Sequence, residues 1–206
     1  NMLTTILNYA VNYYNLPANP CTKAGHMGKR TRSMSFWTID QYNAFIGQIT
    51  DIAAYTALQV LFYSGMRFGE LIALTLSDLD FNANTISITK SLQHRSGKGD
   101  LITPPKPDNG IRIISMPAAI MQELKAYTQK LYALEPKDRI FSFTKSLIRG
   151  NMQRGAKAAG IPFIRIHDLR HSHVSLLIHM GFTPLLIAER IGDTVQMVNS
   201  TYGHLY

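Results

Sequence analysis

"YSGMRFGELIALTLSDLDF", Tyr63 to Phe81, is where the reading of this chain turns from helix to strand. It closes the run "DIAAYTALQVLFYSG", residues 51–65, whose apolar residues predict a buried helix. Gly65 ends that helix, because glycine enters the left-handed conformation of a helix C-terminus at little cost. "RFGELIALTL" then predicts a short helix and "SDLDFNANT" a turn. Past the turn, the β-branched clusters "TISIT" (85–89) and "IRIIS" (111–115) predict two strands. A long charged excursion with several Pro and Gly residues, "KSLQHRSGKGDLITPPKPDNG" (90–110), separates them.

Upstream, Thr38 followed by Gln41 has the form of a capping box and predicts a helix start. Downstream, "PAAIMQELKAYTQKLY", "KSLIRGNMQRGAKAAG", "LRHSHVSLLIHMG", "TPLLIAERIG" and a last segment ending at Tyr202 predict helices. Pro117 and Pro184 suit first turns, and Gly160, Gly181 and Gly192 suit helix ends. The expected fold is mainly α with a small antiparallel β-sheet, an α+β arrangement with no βαβ unit and no internal repeat.

With 206 residues, of which 46% are hydrophobic, the chain can bury one substantial core. Its 21 Lys and Arg against 13 Asp and Glu give a net charge of +8, which favours a polyanionic partner. A lone cysteine, Cys21, excludes an internal disulfide and a Cys-x-x-Cys redox or zinc motif, so a reducing cytoplasm is expected. There is no long uninterrupted apolar run and no signal-peptide pattern, so no membrane association is expected. Residues 3–14 predict a helix stopped by "NLPANP", either the last element of a preceding domain or an ordinary first helix. "CTKAGHMGKRTRSMSF" reads as a linker or loop, carrying four basic residues from Lys23 to Arg32 and no acid.

Chemistry-bearing side chains are densest in "RIHDLRHSH". His167 and Arg170 stand three apart, so one helix face can direct both to one site. The guanidinium offers a fixed fork of donors to phosphate, and the imidazole can hold or move a proton. Without the histidine and cysteine pairings that zinc needs, a metal reading is weak. By itself the cluster reads first as a basic helix start with a few core or surface histidines, and His171 and His173 are left as helix-face residues without a specific role, one core and the other exposed.

Read in order, "YSGMRFGELIALTLSDLDF", the lysine-bearing excursion, "HDLRHSH" and "NSTYGHLY" resemble the catalytic domain of the tyrosine recombinase, or phage integrase, family. The likeness is greatest to integrases of phages and conjugative transposons, and it spans most of residues 38–206. It implies a catalytic domain over 38–206, a linker or loop over 21–37, and in 1–20 the end of the family's upstream core-binding domain. It further implies a site-specific recombinase that cleaves and rejoins DNA through a 3′-phosphotyrosyl intermediate, with no cofactor. Arg67 and Arg170 would hold the phosphate, His167 would assist proton movement or bind it, and Tyr202 would be the nucleophile. The active lysine would be Lys106 in "TPPKPDNGIRIIS", with Lys98 in "SGKGD" as its competitor. Glu70 would organise Arg67, and Asp168 would be a helix-start acid.

Asp193 departs from the pattern: many family members carry a phosphate-contacting histidine nine residues before the nucleophile. An ionised carboxylate cannot donate to phosphate. Asp193 therefore turns outward and caps the helix begun near Thr194, recruits a cation or a neighbouring arginine, or lowers activity; the cap is preferred. Implied partners are double-stranded DNA attachment sites, a synaptic tetramer of the full-length protein on DNA, and directionality or DNA-bending factors. Seven Lys and Arg against two acids between Lys145 and Arg190 suit backbone contacts to DNA. Competing readings are a noncatalytic DNA-binding or synapsis module and a type IB topoisomerase-like enzyme.

Overall fold

A computed structural model describes residues 2–24, 34–95, 99–105 and 110–206. The chain divides into two compact units, Asn1–Ser33 and Met34–Tyr206. The first holds α1 (Met2–Tyr13) and α2 (Pro20–Ala24). Asn19 clips them together. Its amide donates to Thr4 O at 3.0 Å and to Asn8 Oδ1 at 2.6 Å, and its carbonyl accepts from Cys21 N.

The second unit begins at Met34, ahead of Thr38, because Trp37 is already core. Its ring packs on Phe45, its indole N–H donates to Pro162 O, and its backbone N–H donates to Ser172 Oγ. Helix α3 (Ile39–Ile46) opens on the expected capping box of Thr38 and Gln41. Helix α4 (Ile52–Ser64), capped by Asp51, is buried on almost every side, and α6 (Ala118–Thr128), α7 (Lys145–Ala158) and α8 (Asp168–His179) pack around it. Leu58, Val60, Leu61 and Phe62 on α4 are essentially inaccessible, each contributing roughly 1.5–3 kcal/mol of apolar burial.

Gly65 ends α4 at φ +64°. A short α5 (Phe68–Leu71) and a 3-10 turn (Leu76–Asp78) lead into β1 (Leu79–Asp80), within the stretch expected to be a turn. The expected strands form as β2 (Thr85–Ile88) and β5 (Arg112–Ser115), paired antiparallel with Ile86 opposite Ile114, in a sheet of order β1-β2-β5. The charged excursion also contains structure. Strands β3 (Ser91–Arg95) and β4 (Gly99–Thr103) form a separate antiparallel hairpin, with Leu92 buried and His94 bonded to Asp100. Gly69 lets α5 approach this hairpin, since a Cβ there would lie 2.7 Å from Ser91 Oγ and 2.8 Å from Leu92 O.

Helices α9 (Pro184–Ile191) and α10 (Val195–Tyr202) close the chain against α8, sharing a second core of Val174, Leu177, Ile187, Ile191, Val198 and Tyr202. The described residues are thus mainly helical, with small antiparallel sheets, as the sequence implied. Among them no helix is long and apolar enough to cross a membrane.

Two predictions concern the junction of α4 and α8. A Cβ at Gly65 would lie 2.4 Å from Cδ2 of buried His173 and would face left-handed backbone strain. Gly65→Ala should lower unfolding stability by about 2 kcal/mol or more in urea titration. An unchanged midpoint would show that the cap and its close packing are dispensable. Burial and neighbouring Arg190 push the pKa of His173 down from 6.5 to about 3. A neutral His173 therefore contributes stability that is present above pH 6.5 and is lost as pH falls toward 3, while the unfolded chain takes up a proton. His173→Gln should flatten thermal stability between pH 6.5 and 4.5, where the wild type loses up to about 1.4 kcal/mol per pH unit from this group.

Candidate active site

The end of α4 presents three functional features in succession. The Gly65 carbonyl turns toward α8, Ser64 Oγ accepts from Met66 N, and Arg67 stands at the N-terminus of α5. Glu70, on the first turn of α5, reaches back to Arg67. Its carboxylate accepts from Arg67 N at 3.0 Å and Nη1 at 3.1 Å, and from Arg112 Nη2 at 2.9 Å. The Glu70 side chain is 1% exposed. Burial alone would raise its pKa, but the two guanidiniums, Arg112 first, hold it below the usual carboxylate range. Arg112 is fixed in turn by carbonyls, donating from Nε to Arg190 O and from Nη1 to Gly110 O. The organising role expected of Glu70 is what these bonds perform.

Arg170 lies on the first turn of α8 with its side chain 5% exposed. Nη1 donates to Gly65 O at 3.0 Å and to Ile191 O at 2.7 Å, tying α8 to the ends of α4 and α9. Burial, then Arg67 and Arg112, bring its pKa down to about 10, so it remains charged near neutrality. Arg67 and Arg170 converge on one atom: Asp193 Oδ2 accepts from Nη2 of each at 3.1 Å.

This corrects the preferred reading of Asp193. Thr194 caps α10, its hydroxyl accepting from Met197 N, and the Asp193 side chain turns inward to the arginines. Among the described residues Oδ1 accepts only from the adjacent Thr194 N–H. The alternative in which Asp193 recruits a neighbouring arginine is the one realised, with two arginines. A carboxylate beside the buried Arg170 guanidinium and the part-exposed one of Arg67 gains two charge-assisted bonds, which outweighs a cap that threonine already supplies.

His167 precedes α8. Its ring stands edge-on to that of His171, 5.2 Å between centroids, and burial followed by His171 and Arg170 lowers its pKa to about 4, so it is neutral near pH 7. It borders an open cleft of about 840 Å³ that Arg67, Phe68, Leu92, Arg139 and Lys145 also line. Asp168, 2% exposed at its side chain, accepts from Arg165 N, Nε and Nη2, as befits a helix-start acid.

Tyr202 ends α10 with only 3% of its surface exposed. Burial first, with Asp193 and Asp168 adding and Arg170 opposing, raises its pKa to about 12. Its hydroxyl lies 2.6 Å from His171 Nδ1. The structure thus gathers Arg67, His167, Arg170 and Tyr202 around one locus. Lys106, between β4 and β5 in the sequence, and its competitor Lys98, between β3 and β4, lie outside the described residues.

Sequence reasoning passed over His171 and Arg112. His171 is one turn beyond His167, a spacing that puts both on one helix face. Arg112 interrupts the apolar strand "GIRIIS", a basic residue where a buried partner is needed. Of the two histidines left without a role, His173 is core, accepting from Arg190 Nε at 3.0 Å, and His171 meets the tyrosine. Among the described residues no group of three or more His, Cys, Asp or Glu is placed to hold a metal ion.

The phage integrase family model matches residues 35–206. The integrase of ICEBs1 from Bacillus subtilis (strain 168) is 30% identical over 222 residues, covering 99% of this chain and 60% of that protein. A putative prophage phiRv2 integrase of Mycobacterium tuberculosis (strain ATCC 25618 / H37Rv) is 26% identical, covering 99% of this chain and 56% of that protein. The chain therefore spans less than two thirds of the length of these relatives. Among solved structures, the Tn1549 transposon integrase in complex with a circular intermediate DNA superposes with a TM-score of 0.80 at 20% identity, covering 97% of this chain and 71% of that one. XerA recombinase superposes with a TM-score of 0.65 at 21% identity, covering 91% of this chain and 65% of that one. The chain belongs to the phage integrase family, and its fold is that of the tyrosine recombinase catalytic domain.

Proposed function

We propose that this chain is the catalytic part of a site-specific DNA recombinase that breaks and rejoins strands through a 3′-phosphotyrosyl intermediate. The observation that carries this reading is the convergence of Arg67 and Arg170 on a single oxygen, beside a buried tyrosine hydroxyl. A nonbridging phosphate oxygen presents the same acceptor as Asp193 Oδ2, with more charge as a pentacoordinate transition state develops. In this account the scissile phosphate takes the place of the Asp193 carboxylate between the two guanidiniums. Asp193 keeps the arginines paired and aligned until then.

Tyr202 attacks phosphorus, forming the phosphotyrosyl bond as the bond to the 5′ oxygen breaks. Lys106 is proposed as the acid that protonates that leaving oxygen, and neutral His167 as a hydrogen-bonding partner of the phosphate. Attack by the freed 5′-hydroxyl of another strand reverses the step. The phosphodiester energy is conserved in the covalent link, so rejoining needs no separate energy source. The proposed partners of the full-length protein are double-stranded attachment sites, a tetrameric synaptic assembly, and directionality or DNA-bending factors, in a bacterial cytoplasm. Residues 1–20 are proposed as the end of an upstream core-binding domain, and 38–206, together with the residues from Met34 that carry core Trp37, as the catalytic domain.

The test is covalent capture. The full-length protein is incubated with a nicked suicide duplex selected from a randomised pool by covalent retention on wild-type protein. Wild-type protein should form a detergent-stable adduct that Tyr202→Phe abolishes, and Arg170→Lys should slow its formation by about 10²-fold or more. An adduct that survives Tyr202→Phe would overturn the assignment of the nucleophile.

A further inference from the structure

Tyr202 needs somewhere to send its proton. Its phenol pKa lies near 12, so attack on phosphorus as a preformed phenolate is disfavoured at neutral pH. We propose that His171 is a catalytic residue: its Nδ1 takes the phenol proton of Tyr202 as the phenol oxygen bonds to phosphorus, and returns it when the phosphotyrosyl bond breaks in rejoining. The inference rests on the reading of Tyr202 as nucleophile.

Three features of the geometry support it. The Nδ1 to hydroxyl distance, 2.6 Å, is within direct proton-transfer reach. Among the described residues no other side chain hydrogen-bonds the Tyr202 hydroxyl; His167 stands edge-on to the His171 ring instead. When Nδ1 accepts, the ring's own proton sits on Nε2, and Nε2 lies 4.0 Å from Asp168 Oδ1. That carboxylate is pinned by three bonds from Arg165 and cannot swing away freely. Tyrosine, imidazole and carboxylate are therefore aligned in the order nucleophile, base, orienting acid, with the acid stabilising the imidazolium that forms.

The protonation states agree with this order. Burial lowers the pKa of His171, Arg165 and Arg170 lower it further, and Asp168 opposes them, leaving a neutral ring able to accept a proton near pH 7. Transfer before attack is uphill, given the phenol's high pKa. The proton therefore moves as the oxygen–phosphorus bond forms and the phenol becomes acidic. In the forward step the Tyr202 O–H bond breaks, its proton joins Nδ1, the P–O5′ bond breaks, and the leaving oxygen takes a proton from the separate acid, proposed as Lys106. Rejoining runs each transfer backward.

The experiment measures adduct formation by the full-length protein on the captured duplex, in two forms: the ordinary phosphodiester, and one with sulfur replacing the 5′ bridging oxygen. A thiolate leaves without a proton, so the second form removes the need for the leaving-group acid while keeping the need for a base at Tyr202. His171→Ala and His171→Gln should both slow adduct formation by about 10²–10⁴-fold, and the defect should persist on the sulfur duplex. Glutamine keeps an acceptor and similar bulk but cannot take the proton, so a folded but slow His171→Gln protein supports the proposal even if the alanine variant is unstable. Either result overturns it: rates of the glutamine variant within about threefold of wild type, or full recovery of that variant on the sulfur duplex. Failure of the wild type to form any adduct, or persistence of the adduct in Tyr202→Phe, would instead defeat the reading of Tyr202 itself.

Discussion

Buried positive charge is the constraint on which the site depends. Arg170 and Arg112 have side chains only 5% and 6% exposed, and Arg67 and Arg190 lie beside them. A guanidinium out of water is strongly unfavourable unless its donors are met. Here the matching groups are helix-end and loop carbonyls, Gly65 O, Ile191 O, Arg190 O, Tyr63 O and Gly110 O, together with the His173 ring and two carboxylates, Glu70 and Asp193. The ends of α4 and α9 supply most of these acceptors, and β5 supplies Arg112. The helix packing and the central sheet thus converge to satisfy a cationic cluster, and that cluster in turn fixes how those elements meet.

The proposed function follows from an imbalance in that cluster. Four guanidiniums face two carboxylates, and only Glu70 is deeply enclosed. The Asp193 side chain is 20% exposed and sits at the outer face of the arginine pair. An anion arriving from the cleft meets two preset donors whose alignment costs nothing at the moment of binding, the arrangement that makes electrostatic stabilisation effective. Tyr202 is placed beside them, buried and protonated, so the attack proposed for it depends on a base within reach and on a phosphate to receive it.

Much of this was legible in the sequence where local rules dominate. The Thr38 and Gln41 cap, the Gly65 stop and the alternation of strands β2 and β5 each follow from a few neighbouring residues. The hairpin of β3 and β4 was not, because its strands carry mixed polar and charged residues and gain their place from Leu92 docking on α5 across Gly69, a tertiary contact. At the candidate site, the separated motifs singled out Arg67, His167, Arg170 and Tyr202, which the fold brings close together. The inward turn of Asp193 was hidden, since "GDT" supports a cap by either residue and only the distant Arg67 and Arg170 decide which one. His171 was hidden for the same reason, its partner lying thirty-one residues away along the chain.

The central claim is that the Arg67–Arg170 pair is a phosphate site which Asp193 occupies until phosphate replaces it. The most direct measurement is a crystal structure of the full-length Tyr202→Phe protein with its captured duplex. The account predicts a nonbridging oxygen of the scissile phosphate about 3 Å from Nη2 of both arginines, with Asp193 Oδ2 beyond hydrogen-bond reach of them. A phosphate held elsewhere while Asp193 still bridges Arg67 and Arg170 would contradict it.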